Sequence, residues 1–550
     1  MNADYVGLLG FGTSAAVSLA LYVRPALHRW WTARWCFTLL LTLSLFIFQR
    51  SAIGANFQLW NPDESQMLAG ALTLQQRPVF WLDVDGTTHG PFNQWPLVLP
   101  ALFGARIDYT SARVVATVLA VLMLACLQTA LARRLREGTA RLLVLPAWTL
   151  FIFNQDPETA QYTSELMPSL LLALAVALWP RATDPAASSA WCWAAGAAAG
   201  ATPLAKLQAA PLAAWFLLFT LLMIWRAPSA TAGRARKTGL LALGALSPVL
   251  GFAGHAAAHG AFQDFRIRYL ESNLFGYAAA GEQFFNNARP TPDMIFGFSK
   301  FLWPVVVAIL LGATLAALRR LRPAWPDLVL ALGLVAAAVC AIYSPQKPFA
   351  HYFLLLVGPL TLLLGALVGP VLEPRPAARP THWRTLAAGA LLVASCGFTL
   401  GHHFRHPDYF RLILRTRPPV ARDLVEAVQH RVAPGGTLAV WGWQPALYVM
   451  TQAVAATPDL IIFWQIVPSR WQEFYQARYL RDITQRPPEV FVDTMGPADF
   501  FFFRNPGATR HENFPALAEF IRTRYVLAET VHGARIYLRR DRAAPDVAAR

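Results

Sequence analysis

The chain has 550 residues, of which 55% are hydrophobic and only 14% are charged. A soluble globular protein carries about 25% charged residues, so this composition points to a chain built for lipid. The formal net charge of +16 would suit nucleic acid, but much of the arginine sits in short clusters between apolar runs, as expected of cytoplasmic loops, and a nucleic-acid partner is excluded on that ground.

In chain order, apolar runs long enough to cross a bilayer fall at Tyr5–Val23, Trp35–Gly54, Ser111–Ala132, Leu207–Trp225, Thr238–Ala258, Phe301–Leu318, Asp327–Tyr343, Tyr352–Leu372 and Leu386–Gly401. Shorter runs at Leu142–Asn154, Glu165–Trp179 and Ala190–Leu204 bring the expected count to about twelve, the short ones tilted or re-entrant. The N-terminus has no basic n-region, so the first run reads as an anchor rather than a cleaved signal. All five cysteines (Cys36, Cys126, Cys192, Cys340 and Cys396) lie in apolar segments without CxxC spacing, and read as small hydrophobes.

Basic clusters fix the expected sides. Arg24/Arg29/Arg34, Arg133/Arg134/Arg136/Arg141, Arg181, Arg226/Arg234/Arg236/Lys237, Arg319/Arg320/Arg322 and Arg375/Arg379/Arg384 fall on every second connection, which makes those connections cytoplasmic. The outer side then receives Ala55–Thr110, Gln155–Ser164, Gly260–Lys300, Ser344–His351 and everything after about His402. The expected fold class is a mainly α polytopic membrane protein with a C-terminal extracytoplasmic α/β domain, divided into residues 1–402 and 403–550. In the tail, TLAVWGW, EVFVDTM, YVLAETV and ARIYLRR read as strands, and QPALYVMTQAV and FPALAEFIRTR as helices. No glycine-rich phosphate fingerprint occurs there, so no cofactor is assigned, and Trp441 and Trp443 read as core or interface aromatics. No internal repeat argues for a transporter of two related halves.

The first outer stretch contains NPDES. Asn61 reads as an N-cap, Pro62 as the first helical residue, and Glu64 stands in the capping-box position three residues on. Capping needs only one acid, so Asp63 beside it, at the lipid boundary, is a functional candidate.

This layout resembles the GT-C superfamily of membrane glycosyltransferases, in particular the bacterial branch related to aminoarabinose transferases and protein O-mannosyltransferases. The likeness rests on NPDES followed by DGTTHGPFNQWPLVLPALFG, on YTSELMPSLLLALAVAL, and on SPQKPFAHYFLLLVGPL. It implies inverting transfer of a sugar from a polyprenyl-phosphate donor to an acceptor hydroxyl of a lipid, glycan or protein, at the outer face of the bacterial cytoplasmic membrane. It also implies that Asp63 is the general base and that an acid of the next outer loop aids acceptor or metal binding: Glu165, with Asp156 and Glu158 as rivals. Glu64 stands with Asp63 and Glu165 in the catalytic set, although a cap explains it fully. Where relatives place a Lys before the Pro of DGTTHGP, this chain has His89.

The leaving phosphate needs a cation or oriented donors on the outer side, against the positive-inside bias. Lys206, Lys347, His89 and His351 are the candidates. Snorkelling lysines and an interfacial histidine are the simpler alternatives. Asp83 and Asp85 in WLDVDG are placed to share a divalent cation with Asp63, while Asp-Gly is also an ordinary turn signal. The loop YLESNLFGYAAAGEQFFNNARP, with Gly276 and Gly281 as hinges, reads as a cover for the site or as lipid-surface packing. The competing functional class is a polytopic transporter or lipid-linked sugar flippase without chemistry.

Overall fold

A computed structural model describes residues 3–27, 32–59, 61–154, 156–228, 230–277, 300–347, 349–373, 382–405, 422–495 and 509–543. Each of the twelve apolar runs forms a helix: α1 (Ala3–Val23), α2 (Arg34–Ile53), α5 (Tyr109–Ala132), α6 (Glu137–Phe153), α8 (Leu166–Thr183), α9 (Ala190–Ala205), α10 (Ala210–Arg226), α11 (Thr231–Ala258), α12 (Trp303–Leu318), α13 (Trp325–Tyr343), α14 (Val357–Leu372) and α15 (His382–Arg405). Among the described residues, eight are long and apolar enough to cross a membrane, fewer than the dozen expected: α6, α9 and α12 stop at 16 or 17 residues, and α15 is not among the eight. The protein is a multi-pass membrane protein.

Three further helices lie between these: α3 (Pro62–Gln76), α4 (Pro91–Leu102) and the single turn α7 (Pro157–Ala160). From the sequence, Met67, Leu68, Ala71, Leu72 and Leu74 give α3 an apolar face on which it is expected to lie flat on the membrane, and the structure does not place it so. All but three of its fifteen residues are buried, so it is a core helix packed on every side.

At one end of the bundle the arginine clusters are met by acids of the same or a neighbouring helix. Arg34 Nε lies 2.6 Å and Arg141 Nε 2.8 Å from Glu137, Arg134 lies 3.4 Å from Asp327, and Arg136 lies 3.5 Å from Glu373. Asp63 and the connections after α6, α9 and α13 lie at the other end, as does the C-terminal sheet.

That sheet has the order β2-β1-β3-β5-β4, with β1 (Thr437–Trp441) parallel to β2 (Val454–Ala455) and β3 (Val490–Asp493), and β5 (Ala534–Arg539) antiparallel to β3 and β4 (Tyr525–Val531). Period-two alternation decides its two faces. Leu438, Val440, Val490 and Val492 join the main core with α16 (Arg422–Gln429) and α17 (Ala446–Thr451), whereas Ala439, Trp441 and Phe491 pack on α18 (Gln472–Gln485) and α19 (Pro515–Arg524). The four strands and two helices read from the sequence are present; β2, α16 and α18 add to them.

The sheet domain rests on the first loop between α2 and α5. The N–H of Ala455 donates to Thr73 Oγ1 (3.3 Å), that of Asp85 to the Pro458 carbonyl (2.8 Å), and the Gln452 amide to the Ile107 carbonyl (3.1 Å).

Candidate active site

Asn61 caps α3 as expected, its side-chain oxygen accepting the N–H of Asp63 at 2.9 Å. Glu64 does not complete the box. Its carboxylate turns into the bundle and takes Arg113 of α5 in a two-pronged pair (3.1 and 2.7 Å), and it also accepts the Tyr162 N–H at 2.8 Å. Both side chains of the pair are wholly buried. The geometry that suggested a cap is overridden because an arginine inside an apolar helix needs a counter-charge. Glu64 is thereby a structural anion, not a member of the catalytic set.

With Glu64 turned inward, Asp63 faces a cluster drawn from four other segments. His351, in the turn before α14, puts Nε2 3.8 Å from Asp63 Oδ2 and 4.0 Å from Glu165 Oε1. Its Nδ1 is held by the Glu158 carboxylate and stands 3.3 Å from the Asn61 amide, and its ring stacks on Phe349 at 5.5 Å. Glu158 gets there through α7, which Asp156 caps by accepting the Glu158 N–H at 3.0 Å. Lys206, at the end of α9, donates from Nζ to the Glu165 carboxylate and to Ser164 Oγ (2.7 Å), and lies 4.7 Å from the centre of the Tyr352 ring.

Electrostatics separates the acids. Burial raises the pKa of Asp63, against the opposing pull of His351 and Lys206, while the nearby Glu158 and Glu165 charges add to the rise. Burial works on Glu165 as well, but there Lys206 and His351 prevail and hold the carboxyl below its usual range. Among the described residues, Glu64, Glu158 and Glu165 each have a cationic or histidine partner in direct hydrogen-bond contact, and Asp63 has none that close. Its side chain keeps 35% of its surface accessible, against none for Glu165.

The expected donor-phosphate residues divide. Lys206 and His351 line this cluster. Lys347 is buried, with Nζ 5.6 Å from the centre of the Tyr277 ring; the Asp63 and Glu165 charges bear on Tyr277, which places Lys347 at the margin of the site. His89 is a correction. Burial, with Lys206 adding to it, pushes its pKa down to about 3, so it is a neutral ring hydrogen-bonding distance from Gln94 (3.2 Å) and not a cation for a phosphate. Its backbone matters more: His89 and Lys206 form an isolated antiparallel bridge, and the Gly90 N–H donates to Ala205 at 2.8 Å. A Cβ on Gly90 would sit 2.1 Å from the Leu204 carbonyl oxygen, so only glycine allows this approach.

The expected metal pair is not brought together. Asp85 is held by Arg268 (3.1 Å) and accepts the Thr87 N–H (2.9 Å), and burial, outweighing Arg268, keeps its carboxyl up at about 6. Asp83 is paired with Arg486 at 2.9 Å. With the Lys206 ammonium already seated on Glu165, the donor set does not fit a resident divalent ion. In the tail, Asp493, His511 and Glu512 also converge, but the Arg535 guanidinium spans Asp493 and Glu512 at 2.7 Å each and supplies the positive charge there. Of the long outer loop, Tyr269 and Tyr277 are placed, while the stretch from 278 onward lies outside the described residues, and so does its expected closure over the site.

Sequence reasoning missed Arg113. Its signal was present, since it is a charge within the first turn and a half of an apolar span. Ser164 carried no such signal.

No protein-family model and no curated protein matches the sequence. Solved structures do. The crystal structure of ArnT from Cupriavidus metallidurans in the apo state superposes with a TM-score of 0.55 at 14% identity, covering 92% of this chain and 98% of that one. The chain shares the fold of this ArnT. The same ArnT bound to undecaprenyl phosphate gives a TM-score of 0.52 over the same shares at 14% identity. An oligosaccharyltransferase from Archaeoglobus fulgidus gives 0.48 at 12% identity, covering 95% of this chain and 72% of that one. Within this fold, the Asp63 cluster lies where the loops after α2, α6, α9 and α13 converge.

Proposed function

We propose that this protein is an inverting glycosyltransferase that moves a sugar from a polyprenyl-phosphate donor to an acceptor hydroxyl at the outer face of the bacterial cytoplasmic membrane. The observation that carries this reading is the contrast within one cluster: a partly accessible carboxylate with raised proton affinity, Asp63, beside a buried ammonium, Lys206. Undecaprenyl phosphate, held by the similar ArnT, suggests the class of lipid carrier.

In this mechanism Asp63 takes the proton of the acceptor hydroxyl as its oxygen bonds to the anomeric carbon. The bond from that carbon to the phosphate oxygen breaks with its electron pair, and the phosphate leaves as an anion beside Lys206 and His351. No strong acid is needed, because phosphate is a competent leaving group; what it needs is positive charge waiting in a site with little water. Glu165 and Ser164 fix the Lys206 ammonium in place beforehand. The Glu158 carboxylate accepts the Nδ1 proton of His351 and leaves Nε2, which has no hydrogen-bond partner among the described residues, turned toward Asp63 and Glu165.

The test is turnover of a polyprenyl-phosphate-linked sugar by Asp63→Asn in membranes, normalised to folded protein. A positioned base contributes about 10²–10⁴-fold, so a loss of that size is expected. Unchanged turnover would overturn the assignment of the base.

A further inference from the structure

Asn93 lies on the inward face of α4, wholly buried, and its side chain reaches both chain segments that supply the charged pair of the site. We propose that Asn93 is a positioning residue, whose amide fixes Lys206 and Glu165 against the first loop and so sets where the Lys206 ammonium meets a phosphate. The inference rests on the catalytic reading of this cluster and adds to it a residue that touches no substrate.

The amide nitrogen of Asn93 donates to two carbonyls, that of Ser164 at 2.9 Å and that of Ala205 at 2.8 Å. Two carbonyl acceptors decide which way the amide faces, since the reversed amide would set its oxygen against both. Ala205 ends α9, so its carbonyl has no donor within the helix and needs one from outside. Asn93 and the Gly90 N–H, at 2.8 Å, supply it together. The two carbonyls belong to the peptide bonds that lead directly into Glu165 and into Lys206. One side chain therefore grips both members of the pair by the backbone just before them.

The pair could form without this grip. A lysine stem is flexible, and both acceptors of the ammonium, the Glu165 carboxylate and Ser164 Oγ (2.7 Å), lie on one segment. What the pair alone does not fix is its place relative to Asp63. Asn93 belongs to the same loop as Asp63, and α4 lies so close on α3 that a Cβ at Gly70 would come 2.3 Å from the Gln94 amide nitrogen. From the other side, the Tyr162 hydroxyl donates to the Asn93 carbonyl at 2.7 Å, and the Tyr162 N–H donates to Glu64, the neighbour of Asp63, at 2.8 Å. The base, the ammonium and its counter-ion are thus joined through Asn93 into one frame. Loss of the amide would let the ammonium follow Glu165 away from the place where the leaving phosphate needs it.

The experiment is calorimetric titration of undecaprenyl phosphate into the purified full chain in detergent micelles. The parent is compared with Asn93→Leu, Asn93→Ser, Lys206→Gln and each Asn93 change combined with Lys206→Gln. Leucine is close to asparagine in size and donates nothing. Serine cannot reach both carbonyls, and serves if thermal unfolding shows the leucine variant unfolded. Per folded molecule, Lys206→Gln and either Asn93 change should each weaken Kd by about tenfold, the worth of one hydrogen bond to a charged group. The double variants should lie within about threefold of Lys206→Gln, because a misplaced ammonium and a missing one are the same loss counted once. A residue that only packs would leave Kd unchanged, or would add its full loss to that of Lys206→Gln, and either result overturns the inference. A parent that does not bind undecaprenyl phosphate, or a Lys206→Gln chain that binds it as tightly as the parent, overturns the placement of the phosphate beside Lys206 and the inference with it. That failure is seen without any Asn93 variant, which tells the two apart.

Discussion

Replacement of Glu64 by alanine separates an anchoring role from a catalytic one. Arg113 and Glu64 have no exposed side-chain surface, and the guanidinium makes two bonds to the carboxylate besides those to the Ala52 and Phe57 carbonyls at 2.8 Å and to that of Ala55. In Glu64→Ala the charge of Arg113 stays buried with only carbonyl dipoles around it, which costs about 3–5 kcal/mol. The Tyr162 N–H loses its acceptor at the same time and adds roughly 1–3 kcal/mol. Arg113→Ala strands Glu64 and leaves those carbonyls unserved, and should cost a similar amount. The double variant no longer holds an uncompensated charge, so its loss should fall short of the sum by about 0.5–3 kcal/mol. Unfolding in mixed micelles, followed as a double-mutant cycle, reads these values, and turnover per folded molecule is measured alongside. A Glu64→Ala protein as stable as the parent but inactive would refute this reasoning and return Glu64 to the chemistry.

Glu158→Gln frees the His351 ring to turn, and a misplacement of about 1 Å costs on the order of 10²-fold, so kcat should fall by that factor while KM changes little in steady-state assays. His89→Gln should leave turnover near neutral pH largely intact, because His89 is already uncharged there. With its folded pKa near 3 and an unfolded value near 6.5, His89 binds fewer protons in the folded state. Its contribution is therefore complete above about pH 6.5 and lost as pH falls toward 3, and the variant should show a shallower acid limb in unfolding midpoint against pH. Gly200→Ala places a Cβ 2.0 Å from the Ala245 carbonyl oxygen, forcing α9 from α11 at a cost of about 1–3 kcal/mol, whereas Gly239→Ala on α11 meets nothing within 4 Å and should gain up to about 1 kcal/mol; paired thermal unfolding distinguishes them.

The helices were legible because lipid imposes one rule on every span, a long apolar run with arginines at alternate ends, and that rule acts locally. The strands were legible for a similar reason, since TLAVW and VFVD are buried on both faces and bounded by turn residues. Local rules stop where partners are distant. Asn61 was readable as a cap because the N–H it accepts lies two residues on. Glu64 was misread because its partner lies 49 positions away on another helix. Lys206 and Glu165 were each picked out as candidates, yet their pairing across 41 positions depends on Gly90 letting the first loop lie against the end of α9, which no spacing announces. The close α9–α11 contact was marked by Gly196 and Gly200, four apart in an alanine-rich run, and by Gly244 on α11, a pattern that permits helices to approach but does not name the partner.

Asp85 shows how the tail domain bears on the site. Arg268, in the π-helical segment Phe265–Glu271, holds Asp85 of the first loop and Asp459 of the tail together, and Arg478 of α18 joins Asp264 (3.0 Å) to Asp482 (2.8 Å). All six side chains are at least 94% buried. Buried ion pairs of this kind add little net stability over apolar packing, but they penalise every arrangement that separates the partners. Their effect is to fix where the tail sits. The loop they grip runs on from Asp85 to His89 and Gly90, whose backbone pairs with Lys206. A tail held at Asp85 therefore steadies the strand against which the Lys206 ammonium is positioned, and this is a use for Asp85 that draws it toward Arg268 rather than into a shared site with Asp63.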